Sequence, residues 1–158
     1  MLEDYGHRCP EVFGDPAILM PVMYNQVKEK KYYYLVIPQV IDEKNFRAAH
    51  PKERMVSMNT DDYKYVIDEI VSSKIVYTSS LHGIILAETY GVPAVFFRSL
   101  PKYKDFKYYD YYYSTGRRDI HIAETFEEAL TMKPLPLPDL SKMQQGLLDS
   151  FPYDLWDL

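Results

Sequence analysis

Apolar positions fall into short runs and helical stripes along the chain, and their order predicts alternating strands and helices. Residues 74–97, KIVYTSSLHGIILAETYGVPAVFF, are the clearest case. Lys74 to Thr78 is short and β-branched and reads as a buried strand, whereas Ile84, Ile85, Leu86 and Ala87 suit a packed helix. Gly91 ends that helix and Pro93 forbids its resumption. Ala94 to Phe97 then form a second strand, parallel to the first because a crossover helix joins them. Upstream, Tyr33 to Pro38 predicts a strand, Gln39 to Arg54 a loop and Arg54 to Met58 a shorter strand. Thr60 is positioned to cap a helix from Asp61 to about Ser72, buried through Tyr63, Val66, Ile67, Ile70 and Val71. Thr125 caps a short helix from Phe126 to Leu130, the proline-rich MKPLPLPDL cannot be helical, and Ser141 to Ser150 can form one last amphipathic helix. The expected fold class is α/β, a Rossmann-like parallel sheet flanked by helices. One domain is expected over residues 1–132, with a proline-rich strap and C-terminal helix or tail over 133–158 packing on it.

The turn before the Ile84 helix is the place for chemistry, since ligands of open parallel sheets sit at the carboxyl ends of the strands. Ser79 or Ser80 can cap the helix, and the first amides, of Leu81, His82 and Gly83, lack intrahelical partners. These amides and the helix dipole favour an anion such as phosphate or carboxylate. Gly83 removes a side chain that would obstruct its approach, and His82 can carry a proton near neutrality, its unperturbed pKa being about 6.5. The plainer alternative is that Ser80 caps, Gly83 packs and His82 sits on the surface.

Composition narrows the partners. A net charge of −5 gives no reason to invoke nucleic acid or an anionic membrane, and no apolar run is long enough to span a bilayer. The N-terminus lacks a basic-then-apolar signal, and the single cysteine, Cys9, rules out an internal disulfide, which fits a cytoplasmic protein. No metal-ligand spacing is present, and no metal is expected. Between Arg98 and Arg118 six cations face two anions, so this segment's cations can converge on the same anion, Arg117 and Arg118 more aptly than the lysines because of their guanidinium forks, the alternative being a solvated basic face. Six of the 16 tyrosines lie between Tyr103 and Tyr113, where helical spacing puts Tyr108, Tyr111 and Tyr112 on one face, more in keeping with packing than with a glycan platform. His7, His50 and His121 have no paired ligand, and Asp15, in Gly-Asp-Pro, suits a helix cap or Asx-turn.

The run SSLHGIILAETYGVPAVFF closely resembles the polysaccharide pyruvyl transferases, which carry a Ser-x-His-Gly turn before a helix ending in Tyr-Gly-x-Pro. The Gly14-Asp15-Pro16 segment with the apolar stretch after it resembles another part of the family. So do YLVIPQVID, Tyr34 to Asp42, in which members often have histidine at Gln39, and FKYYDYYYSTGRR, Phe106 to Arg118. Those enzymes are longer, so this chain corresponds to their C-terminal part, either as a fragment or as a natural short homologue.

The resemblance implies one half of a two-domain arrangement similar to GT-B glycosyltransferases, with the active site between domains. It implies transfer of a pyruvyl group from phosphoenolpyruvate to a glycan or lipid-linked sugar, forming a cyclic ketal, with no organic cofactor beyond that donor. On that basis His82 is the catalytic candidate, Ser79, Ser80, Leu81 and Gly83 the donor cradle, and Arg98 or Arg117 the counter-charge. An N-terminal half or a second copy of the chain is the expected protein partner. Two other readings stand beside this one. A nucleotide-sugar glycosyltransferase half would carry glutamate five residues before Gly91, where Leu86 stands. A non-catalytic fragment would bind glycan or protein through its tyrosine-rich surface.

Overall fold

A computed structural model describes Gly6, residues 12–99 and residues 105–155. Cys9 and His7, and the lysines at 102 and 104, lie outside the described residues. Three parallel strands, β1 (Tyr32–Ile37), β2 (Ser73–Thr78) and β3 (Ala94–Phe96), form a sheet in the order β1-β2-β3. Among the described residues seven α-helices accompany it: α1 (Met20–Met23), α2 (Glu43–Ala49), α3 (Tyr63–Val71), α4 (Leu81–Thr89), α5 (Phe106–Ser114), α6 (Phe126–Thr131) and α7 (Ser141–Asp149). The fold is α/β and Rossmann-like.

Alternation along the strands assigns side chains to two apolar layers. Leu35, Ile37, Val76, Ala94 and Phe96 join the larger core with α3, α4 and α5, while Val36, Tyr77, Val95 and Phe97 pack with Phe46 and Phe126 on the other face. Both faces of the sheet are covered, which is why the strands read as nearly continuous apolar runs.

The β2–α4–β3 unit follows the sequence expectation closely. Gly91 has φ +68°, and its N–H reaches the Glu88 carbonyl (3.0 Å) while that of Val92 reaches Ala87 (2.8 Å), the paired bonds that satisfy a helix end through a left-handed residue. Thr125 caps α6 by accepting from the Glu128 amide, and Tyr108, Tyr111 and Tyr112 are the buried face of α5.

Other expectations need correction. Residues 39–54 contain α2, which buries only Phe46 and so has no apolar stripe to announce it. Residues 54–58 are not a strand but one parallel bridge, Met55 beside Val36. Ser57 Oγ accepts from the Asn59 amide (3.1 Å) and donates to Glu43 (2.5 Å), turning the chain away after a single pairing. The cap of α3 is Asp62, which accepts from the Tyr65 amide, whereas Thr60 accepts from the Asp62 amide one step earlier. Tyr63 is not in the buried stripe; it lies exposed, edge-on to Tyr24.

Candidate active site

The turn between β2 and α4 is built around Thr78. Its Oγ1 donates to the Ile37 carbonyl (2.7 Å) and accepts from the Ser80 amide (2.9 Å), fastening the start of α4 to both β2 and β1. Ser80 occupies the cap position but makes no side-chain capping bond, and Ser79 caps nothing either. The Ser79 Oγ accepts instead from the Gln39 amide (2.8 Å) at the end of β1, and its carbonyl accepts from the buried Tyr108 hydroxyl of α5 (2.8 Å). The turn is thus held from three sides by hydrogen bonds. The side-chain oxygen of Gln39 is buried beside it with no protein partner.

Gly83 is required for packing. A Cβ there would stand 2.3 Å from Thr78 Oγ1 and 3.3 Å from Ile37 Cγ2, so only glycine lets α4 lie this close to the strands. The first helical amide to reach a carbonyl is that of Ile84, bonded to Ser80 (3.2 Å); the amides of Leu81, His82 and Gly83 precede it and form the open, positive end of α4.

His82 projects outward, its side chain 59% exposed, and its Nε2 lies 3.6 Å from Oδ2 of Asp15. That separation is too long for a hydrogen bond and suits an ion pair once the imidazole is protonated. The other carboxylate oxygen of Asp15 accepts from the Ala17 amide (2.9 Å), capping the 3₁₀ turn Pro16–Leu19. Asp15 therefore serves as a cap and as the neighbour of His82. The segment is braced by α7: Gly14 has φ +153°, a Cβ there would meet Leu147, Ile18 and Met143 at 3.2–3.3 Å, and Gln144 Nε2 donates to the Ile18 carbonyl (2.7 Å).

Between Gly14–Asp15, the first turn of α4 and α5 lies a cleft of about 300 Å³, to which α5 contributes Lys107, Asp110, Tyr111 and Ser114. In the sequence Tyr111 belongs to the packing stripe and Lys107 and Asp110 only to a charge count, and Ser114 carries no signal, although the spacing 107, 110, 114 places these polar residues on one face beside the buried tyrosines. The pairing of Asp15 with His82 had no local signal, being a tertiary contact.

Arg98 follows Phe97, whose amide donates to the Thr78 carbonyl (3.0 Å) beside the turn, but the guanidiniums of Arg98 and Arg117 are both engaged by carboxylates. Arg117 forms two hydrogen bonds to Glu88 (2.6 and 2.7 Å) near the other end of α4, with both side chains largely buried and Tyr111 donating to the same carboxylate (2.7 Å). Arg98 donates twice to Asp105 (2.9 and 2.6 Å) and pairs with Glu124 (2.5 Å); the Asp105 bonds push its pKa above the ordinary arginine value. Both guanidiniums are neutralised by carboxylates of the fold itself, so the basic stretch is partly a set of structural ion pairs. His50 stacks on Phe46, and His121 lies exposed near Glu128. Among the described residues no group of three or more His, Cys, Asp or Glu is arranged to hold a metal, and no helix is long and apolar enough to cross a membrane.

Comparison with known proteins agrees with the motifs that meet here. An uncharacterized protein of Acanthamoeba polyphaga mimivirus is 33% identical over 113 residues, covering 62% of this chain and 38% of that protein, so the match spans well under half of the relative's length. No solved structure matches the chain significantly. Residues 1–101, which include the Gly-Asp-Pro segment, the β1 edge and the Ser-x-His-Gly turn, match the family described as Polysaccharide pyruvyl transferase, and the chain belongs to that family.

Proposed function

We propose that this chain carries the donor side of a pyruvyl transferase that moves the enolpyruvyl carbon skeleton of phosphoenolpyruvate onto two hydroxyls of a cell-surface or exopolysaccharide sugar. The supporting observation is the approach of Asp15 to His82 at the open amide end of α4. The amides of Leu81, His82 and Gly83 receive the phosphate or carboxylate of the donor, with Ser79 and Ser80 shaping the turn beneath it. His82 delivers a proton to the methylene carbon of the enol, which becomes a methyl group and leaves positive character on the carbon bearing the phosphate oxygen. One sugar hydroxyl attacks that carbon, the carbon–oxygen bond to phosphate breaks, and the second hydroxyl closes the ketal. Of the two hydroxyl protons, one balances that gained by the methyl group and the other leaves with phosphate. Asp15 orients the imidazole and balances its charge while the proton is aboard.

Arg98 and Arg117 have no part in this scheme, because releasing either from its buried carboxylate partner would leave a costly unpaired charge. Glu88 is likewise engaged by Arg117 and Tyr111, which leaves no free acid on α4 for the ribose of a nucleotide sugar. The second wall of the catalytic cleft comes from a further domain, as in GT-B-like enzymes, and the donor's metabolic origin places the reaction in the cytoplasm. Phosphoenolpyruvate is itself the activated group, so no organic cofactor enters.

Isothermal titration of the chain with phosphoenolpyruvate tests the reading, with His82→Ala and uridine diphosphate as comparisons. Saturable binding weakened at least tenfold by His82→Ala, with none to the nucleotide, is expected. Binding of the nucleotide alone would replace pyruvyl transfer with glycosyl transfer.

A further inference from the structure

We infer that the sugar acceptor also binds this chain, in the cleft between Asp15 and α5, and that the remainder of the glycan lies in the adjoining groove along α7. Calling the glycan an acceptor rests on the pyruvyl-transfer reading; the glycan site does not. The cleft of about 300 Å³ and a larger groove of about 820 Å³ have Phe13 and Ser114 in both their walls, so they adjoin at these two residues, and the cleft reaches Asp15, the neighbour of His82. Both volumes fall within the range of ligand-binding cavities, about 300–1,000 Å³.

The lining selects the chemical class. Asp15 and Asp110 against Lys107 give the cleft no excess of positive charge, and the groove balances Lys142 against Asp149, so neither part favours a polyanion. Carboxylates offer several acceptor positions each, Ser114 both donates and accepts, and Lys107 donates, a set suited to a neutral molecule with many hydroxyls. Phe13, 57% exposed where the two cavities meet, supplies a flat apolar surface for the carbon face of a sugar ring.

Rigidity favours the same use. On its buried side α5 is fastened by Tyr108 to the Ser79 carbonyl and by Tyr111 to Glu88. Two points of attachment one turn apart hold the helix in place, and with it Lys107, Asp110 and Ser114. The acceptor site is thereby tied to the same turn that receives the donor, so that hydroxyls bound at Asp110 lie on a frame shared with His82.

The test is a nuclear magnetic resonance titration of the full chain with methyl glucoside, methyl galactoside, methyl mannoside and the methyl glycosides of their disaccharides, each sample then titrated with phosphoenolpyruvate. Saturable shifts at Phe13, Asp110 and Ser114 are expected with at least one glycoside, weakened tenfold or more by Asp110→Asn and by Phe13→Ala, with donor binding changed less than twofold in both variants. If phosphoenolpyruvate binds and no glycoside shifts these residues, or if the variants bind glycoside normally, the inference is overturned while the pyruvyl reading stands. Glycoside binding lost in the variants without any donor binding would keep the glycan site and overturn the pyruvyl reading. Failure of both ligands overturns both.

Discussion

His82 Nε2 and Asp15 Oδ2 stand 3.6 Å apart, which joins the Gly-Asp-Pro segment to the Ser-x-His-Gly turn at the mouth of one cleft. The other Asp15 oxygen caps the Pro16–Leu19 turn, so the two functions of this carboxylate are separable. Asp15→Asn keeps an oxygen for the Ala17 amide and removes the charge beside His82. It should reduce phosphoenolpyruvate turnover in the complete enzyme about tenfold while leaving the melting temperature nearly unchanged. Asp15→Ala also removes the cap and should lower stability by about 1 kcal/mol in urea titration. His82→Ala should cost about 10²–10⁴ in turnover, the range of a general acid.

Gly83→Ala introduces a methyl group into space already occupied by the Thr78 hydroxyl, 2.3 Å away. Because that hydroxyl bridges β1, β2 and the Ser80 amide, it cannot move without breaking hydrogen bonds. A loss of about 1–3 kcal/mol in chemical denaturation is expected, the cost of overpacking a tight contact. A neutral result would mean that α4 does not lie as close to Thr78 as described.

The Glu88–Arg117 pair is a structural cross-link between α4 and the segment after α5. Arg117→Met leaves a buried carboxylate with only Tyr111 as donor and should cost about 3–5 kcal/mol, whereas the double variant with Glu88→Gln should recover at least half of that. A double-mutant cycle in urea measures the coupling. Additive effects would contradict the pairing.

Alkaline pH reports on the buried phenols. Burial pushes Tyr108 and Tyr90 up to about 12, and the bond to Glu53 does the same for Tyr34, against an ordinary value of 10. Groups whose folded pKa is raised contribute stability that is fully present below the unfolded value. Stability should therefore be flat with respect to these groups up to about pH 10 and fall as the pH rises towards 12. Tyr108→Phe should lessen that fall and, by leaving the Ser79 carbonyl unpaired, lower stability by about 1–3 kcal/mol at neutral pH. Denaturation midpoints from pH 8 to 12 check both parts.

Much of the fold was readable in advance where local signals and burial coincide. The β2–α4–β3 unit has β-branched strands, a buried helix and the Gly91 stop, and the Tyr108, Tyr111 and Tyr112 stripe indicated the packing side of α5. Helix α2 was missed because one buried phenylalanine makes no periodicity, and its i,i+4 pair, Glu43 with Arg47, is a surface feature. The candidate site was legible only in part. His82 and its turn follow from a helix start after a strand, but the destination of Arg98 and Arg117 depends on Asp105, Glu124 and Glu88, partners that charge counting along the sequence cannot assign. Gly83 had two readings open, anion approach or packing, and the nearness of Thr78 shows that packing requires it.

The central claim is that the amide end of α4 and His82 receive phosphoenolpyruvate, and its location is tested most directly by an isotope-labelled titration following the Gly83 amide and the His82 ring. Saturable shifts confined to Ser80–Gly83 and Asp15, abolished in His82→Ala, are predicted. Donor-induced shifts centred elsewhere, or an unchanged response in the variant, would contradict the account.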